Sequence, residues 1–309
     1  MCNGYIYLAV PNGFCAGVIR AIQTVERTLE KYGSPVFVKH EIIHNKYVIN
    51  ELSQKGVVFI ENLKDHIKGR PLIISAHGVP KETIINIEKK NIHYIDATCP
   101  LVSKVHKEIK RLEKQNSKII FIGKANHIEA IGTIGQVDSE ISIVSSVEDV
   151  EKLPPYNDNI SYITQTTLSI IETKEIIEAL RNKFPRIIGP KKEDICYATT
   201  NRQNALIKVI NEVDPDLIII IGDQTSSNSK SLLKIAMDLS KSSAQLVMYP
   251  EEIEFTDLYE YKRVCITAGA SAPEVLIENV VNFIEKKFSL KKEIKNYYLE
   301  EFIFPLPKI

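Results

Sequence analysis

Three cysteines each begin a helical pattern. Cys15 starts Cys-Ala-Gly-Val-Ile-Arg-Ala-Ile, Cys99 starts Cys-Pro-Leu-Val, and Cys196 starts Cys-Tyr-Ala-Thr-Thr-Asn-Arg-Gln. A thiol at a helix N-terminus lies in the positive field of the helix dipole, beside unpaired N–H groups, and this favours thiolate. Three thiolates meeting at one point repel one another and are stable together only around a metal or cluster. Two centres suit such a set: a [4Fe–4S] cluster with one iron not held by protein, and a three-cysteine zinc site with an open fourth position. The spacing matches neither the compact ferredoxin runs nor a CxxC knuckle, and a free cysteine also serves as a small buried hydrophobe. That last role is expected for Cys2 and for Cys265, which sits inside the apolar run Val264-Cys265-Ile266.

The cysteines lie 84 and 97 positions apart, and polar residues recur behind each of them. After Cys15 come His44 and then Ser75-Ala76-His77-Gly78. After Cys99 come His127 and Glu129, then Thr164-Gln165-Thr166-Thr167. After Cys196 come Ser226-Ser227-Asn228, then Thr267-Ala268-Gly269-Ala270-Ser271. Ser, Thr, Asn and His bond phosphate oxygens without a Lys/Arg cluster, and Ser226-Ser227-Asn228-Ser229 lies where a strand turns into a helix. Plain N-capping is the alternative for that loop. Glu129 is a candidate proton donor. His40, His66, His93 and His106 have no repeated placement and read as surface or structural residues.

The elements that carry these residues read as α/β. Short apolar runs without alternation, such as Ile119-Ile120-Phe121-Ile122 and Leu217 to Ile221, indicate parallel strands covered on both faces. Their alternation with helical patterns indicates strand–helix units with right-handed crossovers. The helical faces are Val18, Ile22, Val25 and Leu29 after the first cysteine, Val102, Val105, Ile109 and Leu112 after the second, and Leu206, Val209 and Ile210 after the third. We expect three pseudo-equivalent α/β units with small, mainly parallel sheets: residues 15–98, residues 99–194, and residues 195–285 joined by 1–14, with a C-terminal tail at 286–309. The strand at 5–10 should complete the third sheet. Ligands bind beyond the carboxyl ends of parallel strands, so three units around an axis would aim one cysteine and two polar loops each at one shared site. The Lys/Glu runs at 104–118 and 286–295 read as solvated helix faces.

Composition narrows the partners. The chain has 309 residues, with 39 Lys plus Arg balancing 39 Asp plus Glu, which argues against nucleic acid. Its apolar runs are too short to cross a bilayer, so no membrane partner is expected. Five scattered cysteines suit a reducing compartment rather than a disulfide framework. Met1-Cys2-Asn3-Gly4-Tyr5 does not read as a signal peptide, and a bacterial cytoplasm, or a plastid-type organelle, is expected. No G-x-G-x-x-G follows a strand, so no flavin or nicotinamide fingerprint is present.

The motifs Pro11-Asn12-Gly13-Phe14-Cys15-Ala16-Gly17-Val18, Glu41-Ile42-Ile43-His44-Asn45, Ser75-Ala76-His77-Gly78-Val79 and Asp96-Ala97-Thr98-Cys99-Pro100-Leu101-Val102 belong together. So do Thr164-Gln165-Thr166-Thr167-Leu168-Ser169, Asp194 to Gln203, Ser226-Ser227-Asn228-Ser229 and Thr267 to Pro273. In this order, from about residue 5 to 285, the sequence resembles the 4-hydroxy-3-methylbut-2-enyl diphosphate reductase family. The resemblance implies a trefoil of the three α/β units around a central [4Fe–4S] cluster held by Cys15, Cys99 and Cys196, with one iron not ligated by protein. It implies substrate-binding roles for His44, His77, His127, Thr166, Thr167, Ser226, Ser227, Asn228 and Ser271. It implies catalytic roles for Glu129 as proton relay, for Thr166 beside the substrate hydroxyl, and for His127. The reaction would be reductive dehydroxylation to isopentenyl and dimethylallyl diphosphate, with two electrons from a ferredoxin- or flavodoxin-type donor, two protons, and loss of water. Where family members often carry His-Pro-Glu, this chain reads His127-Ile128-Glu129. The competing readings are a zinc hydrolase acting on a phosphorylated substrate and a diphosphate-binding module with structural cysteines.

Overall fold

The computed structural model describes residues 4–156, 159–256 and 261–309; Cys2 lies outside them. The chain divides into two compact units, one over the described parts of Met1–Cys15, His44–Lys46 and Tyr197–Phe302, the other over Ala16–Ile43, Tyr47–Cys196 and Ile303–Ile309. Three small parallel sheets carry the α/β fold.

After β1 (Tyr5–Val10), which belongs to the other unit, α1 (Ala16–Tyr32) leads to β2 (Val36–Lys39), α2 (Lys46–Gln54), β3 (Val57–Ile60), β4 (Leu72–Ile74), α3 (Lys81–Lys89) and β5 (Tyr94–Asp96). These strands form one sheet in the order β3-β2-β4-β5. Next come α4 (Pro100–Lys114), β6 (Lys118–Ile122), α5 (Ile128–Ile134), β7 (Ile141–Val144), α6 (Val147–Lys152), β8 (Ile160–Thr164) and α7 (Ile170–Lys183). Their sheet runs β7-β6-β8. The core of this part is Val105, Ile109, Leu112, Ile119, Phe121 and Ile163, where the apolar stripe of α4 meets β6 and β8.

The other unit opens with β1 (Tyr5–Val10) and resumes with α8 (Tyr197–Val213), β9 (Leu217–Ile221), α9 (Ser227–Leu239), β10 (Ser243–Val247), β11 (Arg263–Ala268), α10 (Glu274–Phe288) and β12 (Lys291–Asn296). The sheet order is β10-β9-β11-β1-β12. All five residues of β9 are buried, as an unbroken apolar run requires of a strand covered on both faces.

The strand that runs into Cys15, β1, pairs in parallel with β11, Tyr5 opposite Arg263 and Leu8 opposite Ile266. The strand that runs into Cys99, β5, pairs with β4. Ahead of Cys196 only an isolated bridge forms, Ser161 to Ile188.

Two readings of the sequence need correction. The buried face of α1 is Gly17, Val18, Arg20, Ala21, Thr24, Val25 and Thr28, with Ile22 and Leu29 only at its margins. Small and hydroxyl side chains serve there because Thr24 and Thr28 donate to the carbonyls of Arg20 and Thr24, one turn back, and so leave no polar group bare. The run at 286–295 is not one helix face: α10 stops at Phe288, and Ser289 takes the left-handed conformation that ends a helix. The following Lys-Lys-Glu-Ile-Lys-Asn is β12, paired along all of β1. Its lysines suit an edge strand, where charge blocks further pairing. No helix among the described residues is long and apolar enough to cross a membrane.

Beyond β12, the Glu300 carboxylate accepts from the Arg202 guanidinium at 3.1 Å, and Arg202 is 1% exposed. Truncation after Ser289 should therefore uncover the edge of β1 and strand a buried cation, a loss of about 3 kcal/mol or more. Urea unfolding of full-length and truncated protein measures it, and equal midpoints would show these residues to be dispensable for stability.

Candidate active site

Each cysteine occupies the position immediately before a helix: Cys15 before α1, Cys99 before α4 and Cys196 before α8. None of the three is in a disulfide and all are half-buried, whereas Cys265 is fully buried in β11, where burial pushes its thiol up to about 12. The three backbone amides share one partner type. Cys15 N–H donates to the carbonyl of Ala270 at 3.2 Å, Cys99 N–H to Ala76 at 3.0 Å, and Cys196 N–H to Thr166 at 3.1 Å. Each acceptor stands two residues past a strand end, those of β11, β4 and β8. The next residue is Ser271, His77 or Thr167, all expected substrate contacts. The same bond thus ties each cysteine to one polar loop.

A second set of loops follows the strands β2, β6 and β9. His44, His127 and Ser226 each lie five residues beyond the strand end. His127 caps α5, its Nδ1 accepting from Glu129 N–H at 3.2 Å, which leaves the proton of the neutral ring on Nε2. Ser226 caps α9 through Ser229 N–H.

In the larger unit Glu129 is 3% exposed, and its two carboxylate oxygens accept from Thr166, from the N–H at 2.6 Å and from the hydroxyl at 2.9 Å. Thr166 thereby joins Glu129 to the amide of Cys196. The rings of His77 and His127 meet edge to face with centroids 6.2 Å apart. This approach needs small residues: a Cβ on Gly132 of α5 would stand 3.3 Å from the backbone of Gly78, and Gly78 itself has φ +73°. Gln165 spans the neighbouring loops, accepting from Lys124 N–H at 3.2 Å and donating to the Thr167 hydroxyl at 3.2 Å. Burial raises the Asp194 carboxyl, against the opposing pull of Lys104 and Thr164 N–H.

In the other unit Ser271 Oγ donates to the carbonyl of His44 at 2.9 Å and lies 3.5 Å from Ser226 Oγ. Asn228 accepts from Ala270 N–H at 2.9 Å and donates to Thr199 Oγ1 at 3.0 Å. Its amide therefore holds the loop that bears Ser271. Ser227 is the buried first residue of α9. Burial pushes the Asp223 carboxyl up, but bonds from Thr225 and from Lys46 N–H outweigh it and hold it low. Sequence reasoning passed over Thr199 and Gln165, whose only signal is their place inside the motifs that carry the site.

The LytB protein family model matches residues 6–285. Relatives named 4-hydroxy-3-methylbut-2-enyl diphosphate reductase occur in Ruegeria sp. (45% identical, covering 98% of this chain and 96% of the relative) and in Cereibacter sphaeroides (46%, covering 98% and 95%). The solved E-1-hydroxy-2-methyl-but-2-enyl-4-diphosphate reductase from Plasmodium falciparum is 39% identical with TM-score 0.94, covering 99% of this chain and 96% of that one. A second structure, of the (E)-4-hydroxy-3-methyl-but-2-enyl diphosphate reductase, is 31% identical with TM-score 0.64, covering 92% and 99%. The chain belongs to the LytB family.

His106, on the buried face of α4, packs against Gly78, where a Cβ would stand 2.6 Å from the His106 ring. Burial, with Lys110 adding to it and Asp96 opposing, pushes its imidazole down to about 4. The unfolded chain binds this proton first. Stability is therefore full above about pH 6.5 and falls by up to about 3 kcal/mol as pH drops toward 4. Urea unfolding near neutrality and near pH 4.5 should show a larger loss for wild type than for His106→Gln, and equal losses would refute the assignment.

Proposed function

We propose that this chain reduces 4-hydroxy-3-methylbut-2-enyl diphosphate to isopentenyl and dimethylallyl diphosphate, with loss of water. The two substrate names carried by the relatives number one compound from opposite ends. We further propose that the three sheets correspond to three repeats, and that Cys15, Cys99 and Cys196 hold one [4Fe–4S] cluster with one iron free of protein ligands. The observation that carries the reading is the threefold bond of a cysteine amide to the carbonyl just ahead of Ser271, His77 or Thr167. It couples every candidate ligand to a candidate substrate contact.

The donor set suits such a cluster. None of the three cysteines is in a disulfide, and each stands immediately before a helix. Among the described residues no three His, Cys, Asp or Glu side chains are close enough to hold a single metal ion; a cluster spreads its thiolates over separate irons and does not ask for that. When bound, the cluster would relay two electrons from the donor, one at a time, and offer a Lewis-acidic iron. The residues do the rest. His44, His77, His127, Thr167, Ser226, Ser227, Asn228 and Ser271 would hold the diphosphate, with the N-terminus of α9 adding N–H donors. Glu129 would hold a proton beside the leaving hydroxyl, and Thr166, bonded to both its oxygens, would fix the carboxylate and pass hydrogen bonding on to the substrate. The electron donor would be a ferredoxin- or flavodoxin-type protein, since the chain has no dinucleotide fingerprint. Cysteines outside any disulfide suit a reducing compartment such as a bacterial cytoplasm.

Anaerobically reconstituted protein should carry about four iron and four sulfide per chain, as this cluster type requires. Cys15→Ser, Cys99→Ser and Cys196→Ser should each abolish turnover; zinc in place of iron, or a fully active single variant, would overturn the assignment. Glu129→Gln should bind substrate with near-native affinity yet lose about 10²- to 10⁴-fold in kcat, and an unchanged kcat would remove Glu129 from proton transfer.

A further inference from the structure

Each helix that follows a cysteine carries a cation five or six positions on, and each cation reaches the backbone that leads into another cysteine. Arg20 of α1 donates from Nη1 to the carbonyl of Thr98 at 3.1 Å, the residue directly before Cys99, and from Nη2 to Asp96 at 3.4 Å. Lys104 of α4 donates to the carbonyls of Lys192 at 2.9 Å and Glu193 at 2.7 Å and to Asp194 Oδ1 at 3.1 Å, two to four positions before Cys196. Arg202 of α8 donates from Nε at 3.2 Å and Nη2 at 2.8 Å to the carbonyl of Gly13, two positions before Cys15. The order is cyclic along the chain: first to second, second to third, third to first.

Local packing alone does not call for this. Arg202 is 1% exposed and Arg20 9%, and a buried guanidinium is costly unless its donors are met. Arg202 meets that demand with Gly13, Ala198 and Glu300, and Arg20 with Thr98, Asp96 and Pro305. Lys104 is one of a run of solvated lysines, yet it turns inward onto three acceptors. A cation on a carbonyl makes a stronger bond than a neutral donor does, and fixing that peptide fixes where the following residue departs. The free loop would otherwise let each Sγ wander before the helix begins.

We propose that Arg20, Lys104 and Arg202 are positioning residues, each holding the approach to one cysteine so that the three thiolates are set in place for the cluster. The inference rests on the cysteines being the cluster's ligands.

The test is the rate of iron loss to bathophenanthroline from anaerobically reconstituted holoprotein, with thermal melting of the apo-protein as control. Lys104→Met should lose iron about tenfold faster than wild type, the usual cost of removing a group that orients a metal ligand, while its apo form, melting lower because buried Asp194 loses its partner, stays folded at the assay temperature. Lys104→Arg should restore slow loss. The double variant Arg202→Met, Glu300→Gln removes both charges of the buried pair and should likewise release iron faster. Wild-type rates in these variants, or Lys104→Arg behaving as Lys104→Met, would overturn the inference and leave the cluster reading standing. Wild-type protein that takes up no iron would overturn both.

Discussion

One bond recurs at the centre of this fold: the amide of a cysteine donated to a carbonyl two residues past the end of a parallel strand. A strand's last carbonyls point out of the sheet and must find donors. A helix N-terminus has amides without intrahelical acceptors. Placing the cysteine immediately before the helix satisfies both needs at once, and puts a thiol beyond the strand's carboxyl end. The α/β alternation supplies the strand, the loop and the helix that this bond requires, and it does so three times.

The loops beyond the strands divide their labour. Those after β4, β8 and β11 are pinned by the cysteine amides. Those after β2, β6 and β9 carry His44, His127 and Ser226 at one common distance, and two of these three cap the helix that follows. Ordinary helix capping and candidate ligand binding therefore use the same side chains. The polar network around Glu129, Thr166 and Cys196 is of the same kind: its hydrogen bonds close buried valences and also tie the buried Glu129 carboxylate, through Thr166, to the amide of Cys196.

Much of this is legible in the residue order. Continuous apolar runs mark β2, β6 and β9 because strands buried on both faces cannot alternate, and the stripes of α4 and α8 follow helical period. The polar clusters behind each cysteine are also visible, although the shared five-residue offset emerges only once strand ends are known. What stays hidden depends on tertiary packing. The edge strand β12 reads as a charged tail, since its stability comes from pairing with β1 and not from its own side chains. The inner face of α1 escapes an apolar count because Arg20, Thr24 and Thr28 line it, each of them satisfied by a backbone oxygen. Lys104 cannot be told from its solvated neighbours until its acceptors are seen.

The place of β1 bears on how the chain acquires its structure. This strand is made early yet sits between β11 and β12, with Tyr5 opposite both Arg263 and Lys291. Neither neighbour exists until some two hundred and fifty further residues have been joined. Closing so long a loop is entropically slow, and until then two ladder edges of an apolar strand stay open to wrong partners. The approach to Cys15 inherits that delay, so of the three cysteines that precede helices the earliest made is the last whose strand is built into its sheet.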